Sequence, residues 1–210
     1  VYESLRLIRE LWTRDEVEFE GKYFRIPKVR PTAKPVSKPH PPMLIGVKAD
    51  KAVQRVGRNG YGWLIGPGKV RSTLVNQIGL YRAALQEQGH ARPALQAMRS
   101  DVYVAEKDAD AWEEAESLLE VHHGVIRDWR QHRDLSESSR EKLQEQTAEN
   151  NNAIGTPDAI IEKFEWCERE LGVNFIDLRL HYVGMTLEQK IRQIRLFGEG
   201  VIPHFRKRRV

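Results

Sequence analysis

Apolar side chains recur along the chain with two different spacings, and the changes between these spacings divide it into elements. The first dozen residues show helical spacing, and the alternation around Gly21 predicts a small hairpin over 17–26. Six prolines follow between residues 27 and 42. Proline lacks an amide donor and fixes φ, so this stretch excludes a helix and disfavours a central strand. We expect residues 1–42 to form a helix, a hairpin and an extended connector.

Beyond residue 42, short apolar runs alternate with longer stretches of helical spacing. Four runs predict strands, over 43–46, 61–66, 98–105 and 174–180. The predicted helices cover 49–56, 70–88, 109–129, 156–171 and 186–205. The polar stretch 131–152 holds few core-forming residues, and we expect it to be a mobile excursion. Parallel strands need a crossover, which a helix supplies, so the alternation predicts a parallel sheet.

Two parallel architectures fit this order, a Rossmann-like sheet and a (β/α)8 barrel. No GxGxxG motif follows a predicted strand, and the run 66–69 lacks the spacing of a phosphate-binding P-loop. A complete barrel takes about 250 residues and eight strand–helix units, so four units amount to half of one. The chain also enters a helical pattern at Val1 without a capping residue. We predict an α/β fold, roughly the second half of a (β/α)8 barrel, with further polypeptide upstream.

Composition and charge narrow the class of protein. Hydrophobic residues make up 40% of the 210, which suffices for a sizeable core. The formal net charge of +4 equals the charge of the basic tail 206–209, so the rest is neutral and no nucleic-acid partner is expected. The single cysteine fits a reducing cytoplasm. No apolar run approaches the roughly 18 residues of a membrane span, so no membrane insertion is expected.

One predicted strand end has the features of a phosphate site. Gly46 ends the strand, and Val47, Lys48 and Ala49 lead into a helix. Backbone N–H groups and the positive end of a helix dipole attract phosphate at such a turn, and Lys48 adds a charge. An ordinary turn between a strand and a helix, with no bound ligand, explains the same residues. Trp63, on the next strand, is a candidate wall for a flat ring system, although a single strand aromatic more often fills the core.

Histidine and cysteine positions favour structural roles. Adjacent His122 and His123 cannot both point one way on a helix. The other candidate ligands, His40, His132 and His181, are scattered along the chain, so no metal site is expected. Cys167 has helical spacing and no catalytic signature, which predicts a partly buried thiol with a structural role.

Charged residues also lie on the predicted strands. Asp177 and Arg179 share one strand face by the period of two, and Asp101 lies on the preceding predicted strand. An ion pair inside the barrel is the favoured interpretation, and part of a functional site is the alternative.

Six short motifs follow one another along the chain in a fixed order. They are LRLIRELWT at 5–13, VEFEGKYF at 17–24, KPHPPMLIG at 38–46, GYGW at 60–63, IGTPD at 154–158 and FGEGVIP at 197–203. Their order and spacing resemble the bacterial luciferase-like family of flavin- or deazaflavin-dependent monooxygenases and oxidoreductases. The resemblance implies a (β/α)8 barrel, of which residues 1–210 would be roughly the C-terminal two-thirds.

The resemblance also implies a cofactor site. In the family, the loop after the fifth strand helps hold the flavin phosphate, and this loop corresponds to 46–49. The chain departs from the family pattern at Val47, where a second glycine is usual, and at Ala49, where serine or threonine is usual. Tyr61 stands where an acidic residue is usual. The stretch 131–152 corresponds to a mobile lid, which would shield a reactive flavin intermediate from water.

The activity implied by the resemblance is a monooxygenase reaction, in which reduced FMN and O2 oxidise a small organic substrate. A deazaflavin (F420)-dependent oxidoreductase is the alternative, since the fold alone does not separate the two. A non-catalytic fragment that binds an anionic partner through its basic tail is a third. Residues that orient substrate come largely from the first four strands in the family, so no catalytic residue is predicted here. We expect the chain alone to be inactive, and expect a homo-oligomer and a separate flavin reductase as partners.

Overall fold

The computed structural model describes residues 1–128 and 149–207. The chain divides into two compact units, Val1–Met43 and Leu44–Val210, and each is described by itself. Most of the predicted lid, residues 131–148, lies outside the described residues, as do Arg208 and Arg209 of the basic tail. No helix in the described part of the chain is both long and apolar enough to cross a bilayer.

The first unit contains one helix and one hairpin, as predicted. Helix α1 covers Tyr2–Thr13, and strands β1 (Val17–Glu20) and β2 (Arg25–Val29) pair antiparallel. Leu7, Val17 and Phe19 form the small core between them. The extended connector starts later than predicted, because β2 continues through Pro27. An edge strand tolerates proline, since its missing N–H faces no partner.

Glu3 of α1 fixes the hairpin turn. Its carboxylate accepts the backbone N–H groups of Lys22, Tyr23 and Phe24 at 3.2, 2.9 and 3.0 Å. These bonds, led by that of Tyr23, lower the pKa of Glu3. A side chain at Gly21 would displace this carboxylate, because a Cβ there would lie 2.2 Å from one of the Glu3 oxygens.

The second unit alternates strands and helices. All four predicted strands are confirmed, and a short additional strand, β6, follows the predicted excursion. The elements are β3 Leu44–Gly46, α2 Asp50–Arg58, β4 Gly62–Ile65, α3 Arg71–Glu87, β5 Ala97–Val104, α4 Asp108–Asp128, β6 Ala153–Gly155, α5 Pro157–Trp166 with a π-helical turn Cys167–Leu171, β7 Phe175–Arg179, α6 Leu187–Gly200 and α7 Ile202–Arg206.

The strands form one parallel sheet in the order β3–β4–β5–β7, with β6 pairing the distal part of β5. If the short strand β6 is set aside, each of the other four strands lies beside the strand that precedes it and the strand that follows it in the chain. A Rossmann-like sheet would reverse its order at a switch point, so this order favours a barrel segment. Among the described residues, β3 and β7 each pair with one strand only.

Local sequence signals define both ends of α5 and the break between α6 and α7. Thr156 caps α5 by accepting the N–H of Ala159, with Pro157 in the first turn. The π-helical turn ends at Gly172 with φ 66°, a left-handed conformation that glycine adopts without strain. The predicted single closing helix is wrong. It breaks into α6 and α7 at Val201, because Pro203 cannot continue the helical hydrogen bonding.

Candidate functional site

The candidate site lies at the carboxyl ends of the parallel strands. Loops leave the sheet here after β3, β4, β5 and β7, and parallel strands bring all of these loops to one edge. The predicted phosphate loop, 46–49, follows β3 directly. Everything described below belongs to the second unit.

The loop after β3 leaves space beside its glycine. A Cβ built on Gly46 would meet no atom within 4 Å, so the space beside its backbone is open. Lys48 is exposed, and Ala49 stands at the N-cap of α2 without a side-chain capping bond. A serine or threonine would have supplied that bond, so the first turn of α2 keeps backbone N–H groups that no capping side chain accepts.

Trp63 supports this loop from beneath. Its side chain is fully buried, its ring centroid lies 6.0 Å from that of Tyr81 on α3, and its indole N–H donates to the carbonyl of Val47 at 3.2 Å. A ring with no exposed surface cannot stack on a bound cofactor. Any contribution of Trp63 to the predicted site is therefore through the position of Val47.

A polar network anchors the same loop to α3. Lys69 donates through Nζ to the carbonyl of Lys48 at 2.7 Å and to Oε1 of Gln77 at 2.6 Å. Gln77, which is 2% exposed, donates through Nε2 to the Lys48 carbonyl at 2.8 Å and to Oδ1 of Asp50 at 2.6 Å. Burial lowers the pKa of Lys69, and the charge of Asp50 opposes that shift. The loop is thus held by its carbonyls, which leaves its outer surface available to a ligand.

Replacement of Gln77 by leucine is expected to loosen the loop after β3. The substitution removes the donor to Lys48 and Asp50 and the acceptor for Lys69, at a cost of about 2 kcal/mol. We expect faster amide hydrogen exchange over 48–53, with little change in β5. Asn76→Leu, at an exposed position of α3, is the matched control. Unchanged exchange over 48–53 in the Gln77 variant would contradict the anchoring role.

Asn151 joins three parts of this edge. It is fully buried and donates through Nδ2 to the carbonyls of Gly66 and Arg99 at 3.0 and 3.2 Å. Its Oδ1 accepts the N–H of Lys69 at 3.1 Å, and its own carbonyl accepts the hydroxyl of Ser100 at 2.8 Å. The side chain therefore fills the gap between the end of β4 and the middle of β5.

The last three residues of the predicted excursion, 150–152, lie just before β6 and are held against the strands by hydrogen bonds, so this end is not the exposed excursion that the sequence predicts. Asn150 is buried and accepts the N–H of Asn152 at 2.8 Å, and Asn152 accepts the N–H of Asp101. Three consecutive asparagines are typical of a solvent-exposed loop, and the only local sign of burial is the short apolar run 153–154 that follows.

Similarity to known proteins agrees with this geometry. The family model for luciferase-like monooxygenases matches residues 1–174. The chain belongs to the luciferase-like monooxygenase family. A curated relative is the F420-dependent glucose-6-phosphate dehydrogenase of Nakamurella multipartita, 26% identical over 97% of this chain and 59% of the relative.

Solved structures of similar proteins show the same fold. A monooxygenase from Streptomyces bottropensis superimposes with a TM-score of 0.80 at 23% identity, over 97% of this chain and 60% of that protein. A type II Baeyer–Villiger monooxygenase of Pseudomonas putida in complex with FMN gives 0.69 at 17% identity, over 97% and 62%. The chain thus spans about three-fifths of the length of these relatives. The predicted luciferase-like fold is confirmed.

This luciferase-like sheet carries two ion pairs between β5 and β7. Arg179 bonds Asp101, and Arg99 lies 3.7 Å from Asp177; the partners are directly opposite in the strand register. Asp177 and Arg179 share a face of β7 as predicted, but they do not pair with each other; each forms its ion pair with a residue of β5. In the first pair, Asp101 Oδ1 and Arg179 Nε are buried and have no hydrogen-bond partner within the described residues.

Cys167 has a structural role, and three of the candidate histidines lie wholly or partly outside the described residues. Cys167 is fully buried, and burial raises its pKa to about 11, so the thiol stays protonated at neutral pH. The side chains of His122 and His123, and all of His132, lie outside the described residues. Within residues that are described, no three histidine, cysteine or acidic side chains group as metal ligands.

A buried amide, missed by sequence analysis, completes the end of β5. Gln193 of α6 accepts the N–H of Val104 at 2.8 Å and donates to the carbonyl of Val104 at 2.7 Å. Strand β7 ends opposite Asp101, so the Gln193 side chain takes the place of a strand partner above it. The apolar neighbours of Gln193 on an amphipathic helix gave no sign of this role.

Proposed function

We propose that this chain is part of a luciferase-like oxidoreductase in which reduced FMN and O2 oxidise a small organic substrate, with the FMN phosphate seated at Gly46. The observation that carries the proposal is the open space beside Gly46, at the end of β3 and shortly before α2, on the edge where parallel barrels bind ligands. Similarity in fold to two monooxygenases, one in complex with FMN, supports it.

The residues of the loop fit a phosphate group. The exposed ammonium of Lys48 and the N–H groups at the start of α2 supply positive potential. Lys69 and Gln77 hold the loop from its inner side, so a phosphate would meet a preformed turn. Asp50 is the one unfavourable charge, and it already accepts a bond from Gln77. The bound flavin would supply the redox chemistry, and this chain's residues would bind and orient its phosphate end.

A second candidate cofactor is F420. The curated relative that aligns with 97% of this chain is an F420-dependent dehydrogenase, and a phosphate seat at Gly46 serves either cofactor. With F420, the protein would be an oxidoreductase without oxygen insertion. The predicted homo-oligomer, the separate flavin reductase and the cytoplasmic location stay predictions.

The test is a titration of the protein that contains this chain with FMN and with F420, followed by fluorescence. We expect Gly46→Ala to weaken cofactor binding at least about tenfold, which corresponds to 1.4 kcal/mol, because the methyl group enters the phosphate space. Gly79→Ala is the matched control, since its Cβ also meets nothing within 4 Å but lies on α3.

Tighter binding of FMN than of F420 would support the monooxygenase, and the reverse order would assign the F420 alternative. Equal affinity of the Gly46→Ala variant and its parent for both cofactors would overturn the phosphate seat. Circular dichroism of the variant establishes that the fold is intact, which the open space beside Gly46 predicts.

A further inference from the structure

A polar cavity lies between α3, α4, β6 and α5. Its volume is about 320 Å³, and its charged lining consists of Arg71, Lys163 and Glu162, with Trp112 and Ile154 as apolar walls. It shares no lining residue with the loop 46–49. The cavity therefore needs an explanation apart from the proposed cofactor seat.

Arg71 has hydrogen-bonding capacity that the described residues do not use. Its guanidinium carbon lies 4.7 Å from the ring centroid of Trp166, which covers one face of the group. Its Nε is buried and has no hydrogen-bond partner, and no carboxylate in the described part of the chain forms an ion pair with it. A buried N–H without an acceptor is costly, and a guanidinium fork is suited to two oxygens of one anion.

Lys163 brings a second positive charge to the same cavity. Its ammonium donates to the carbonyl of Asn152 at 2.5 Å, which fixes its position at the end of the asparagine segment. Burial and, to a smaller extent, the charge of Arg71 lower its pKa to about 8, while the charges of Cys167 and Glu149 oppose the shift. Two cations that face one half-buried cavity repel each other, and a bound anion would remove that repulsion.

The lining defines the class of ligand. Among the lining residues, Arg71 and Lys163 outweigh the carboxylate of Glu162, which is exposed; Glu149, outside the lining and also exposed, is a further acidic charge that acts on Lys163. Trp112, 9% exposed, offers a flat apolar wall beside the cations. A cationic fork next to an aromatic wall suits an oxyanion on a small organic body.

We infer that this cavity is a binding site for an oxyanion, a phosphate or carboxylate group held between Arg71 and Lys163. The inference does not rest on the proposed cofactor seat. The oxyanion belongs either to an organic molecule whose body packs against Trp112 or to free inorganic anion.

Isothermal titration of the protein that contains this chain tests the site, with phenyl phosphate, benzoate and inorganic phosphate as probes. We expect Arg71→Gln to weaken binding of phenyl phosphate at least about tenfold, and Lys163→Gln to weaken it similarly, by loss of a charge-assisted hydrogen bond. Arg55→Gln, an exposed arginine on α2, is the control and should bind as the parent does. Arg71→Lys keeps the charge without the fork and should retain part of the affinity.

The probes separate the two sources of the anion. Tighter binding of phenyl phosphate than of inorganic phosphate, with the difference lost in Trp112→Leu, assigns the site to an organic ligand. Equal affinity of the two assigns it to free phosphate. The inference is overturned by unchanged affinity in folded Arg71→Gln and Arg71→Lys, or by loss of binding in Gly46→Ala alone, which would place the anion at the loop after β3. That last outcome leaves the cofactor proposal standing, so the two proposals can fail separately.

Discussion

Replacement of Gln193 by methionine is expected to lower the free energy of unfolding by about 3 kcal/mol, because two buried backbone groups lose their partners at about 1–3 kcal/mol each. The side chain is fully buried, and its amide bonds both the N–H and the carbonyl of Val104. Methionine has a similar volume and length, so little of the loss would come from a cavity. Urea denaturation followed by circular dichroism measures the change.

Two further variants give this prediction its specificity. Gln193→Glu keeps an acceptor for the N–H of Val104 but places a carboxylate against its carbonyl, so it should be at least as destabilising as methionine at neutral pH. Gln86→Met, at an exposed position of α3, should change the stability by no more than about 0.5 kcal/mol. If the Gln193 and Gln86 variants unfold at the same urea concentration, the side chain is not the strand partner we describe.

The elements themselves could be predicted because each has a local cause. A short apolar run bounded by glycine gave β3, and the Thr156–Pro157 pair gave the start of α5. Sequential alternation of strands and helices leaves two architectures; the missing nucleotide-binding motifs and the six family motifs favour the barrel, and the observed strand order supports that choice. That order is a long-range property, which periodicity does not contain.

The face of a strand was harder to predict than its position. Strand β4 and the residue before it are almost continuously apolar, as parallel strands covered on both sides are. Without alternation, nothing in the sequence tells whether Trp63 points toward the helices or toward the ligand edge. The structure shows the helix-facing side, against Tyr81.

Buried polar residues were the least predictable part of the site. Gln77, Asn151 and Gln193 each form a hydrogen bond with a backbone carbonyl that lies far away in the sequence. A polar residue has the same appearance in a sequence whether it faces water or bonds such a carbonyl. The loop 46–49 could be predicted because its features are local, while the network that holds it could not.

Replacement of Asn151 by aspartate is expected to destabilise the edge between β4 and β5 by about 3 kcal/mol or more at neutral pH. The variant loses two donated hydrogen bonds, each worth about 1–3 kcal/mol when its carbonyl is left buried, and sets a carboxylate against the oxygens of Gly66 and Arg99. The N–H of Lys69 could still donate to the new side chain. Urea denaturation at several pH values measures the change.

The pH dependence of this variant distinguishes loss of the donor at residue 151 from a general loosening of the edge between β4 and β5. Burial beside two carbonyls raises the pKa of the introduced carboxyl above its unfolded value of about 3.9. Its neutral form is favoured in the folded state, so stability falls as pH rises from the unfolded pKa through the folded one. The deficit relative to the parent should therefore narrow as pH falls below about 5, where the protonated oxygen again donates to one carbonyl. Asn76→Asp, exposed on α3, should show no such narrowing, and a deficit of the Asn151 variant that is constant across this range would argue against a buried donor at the junction.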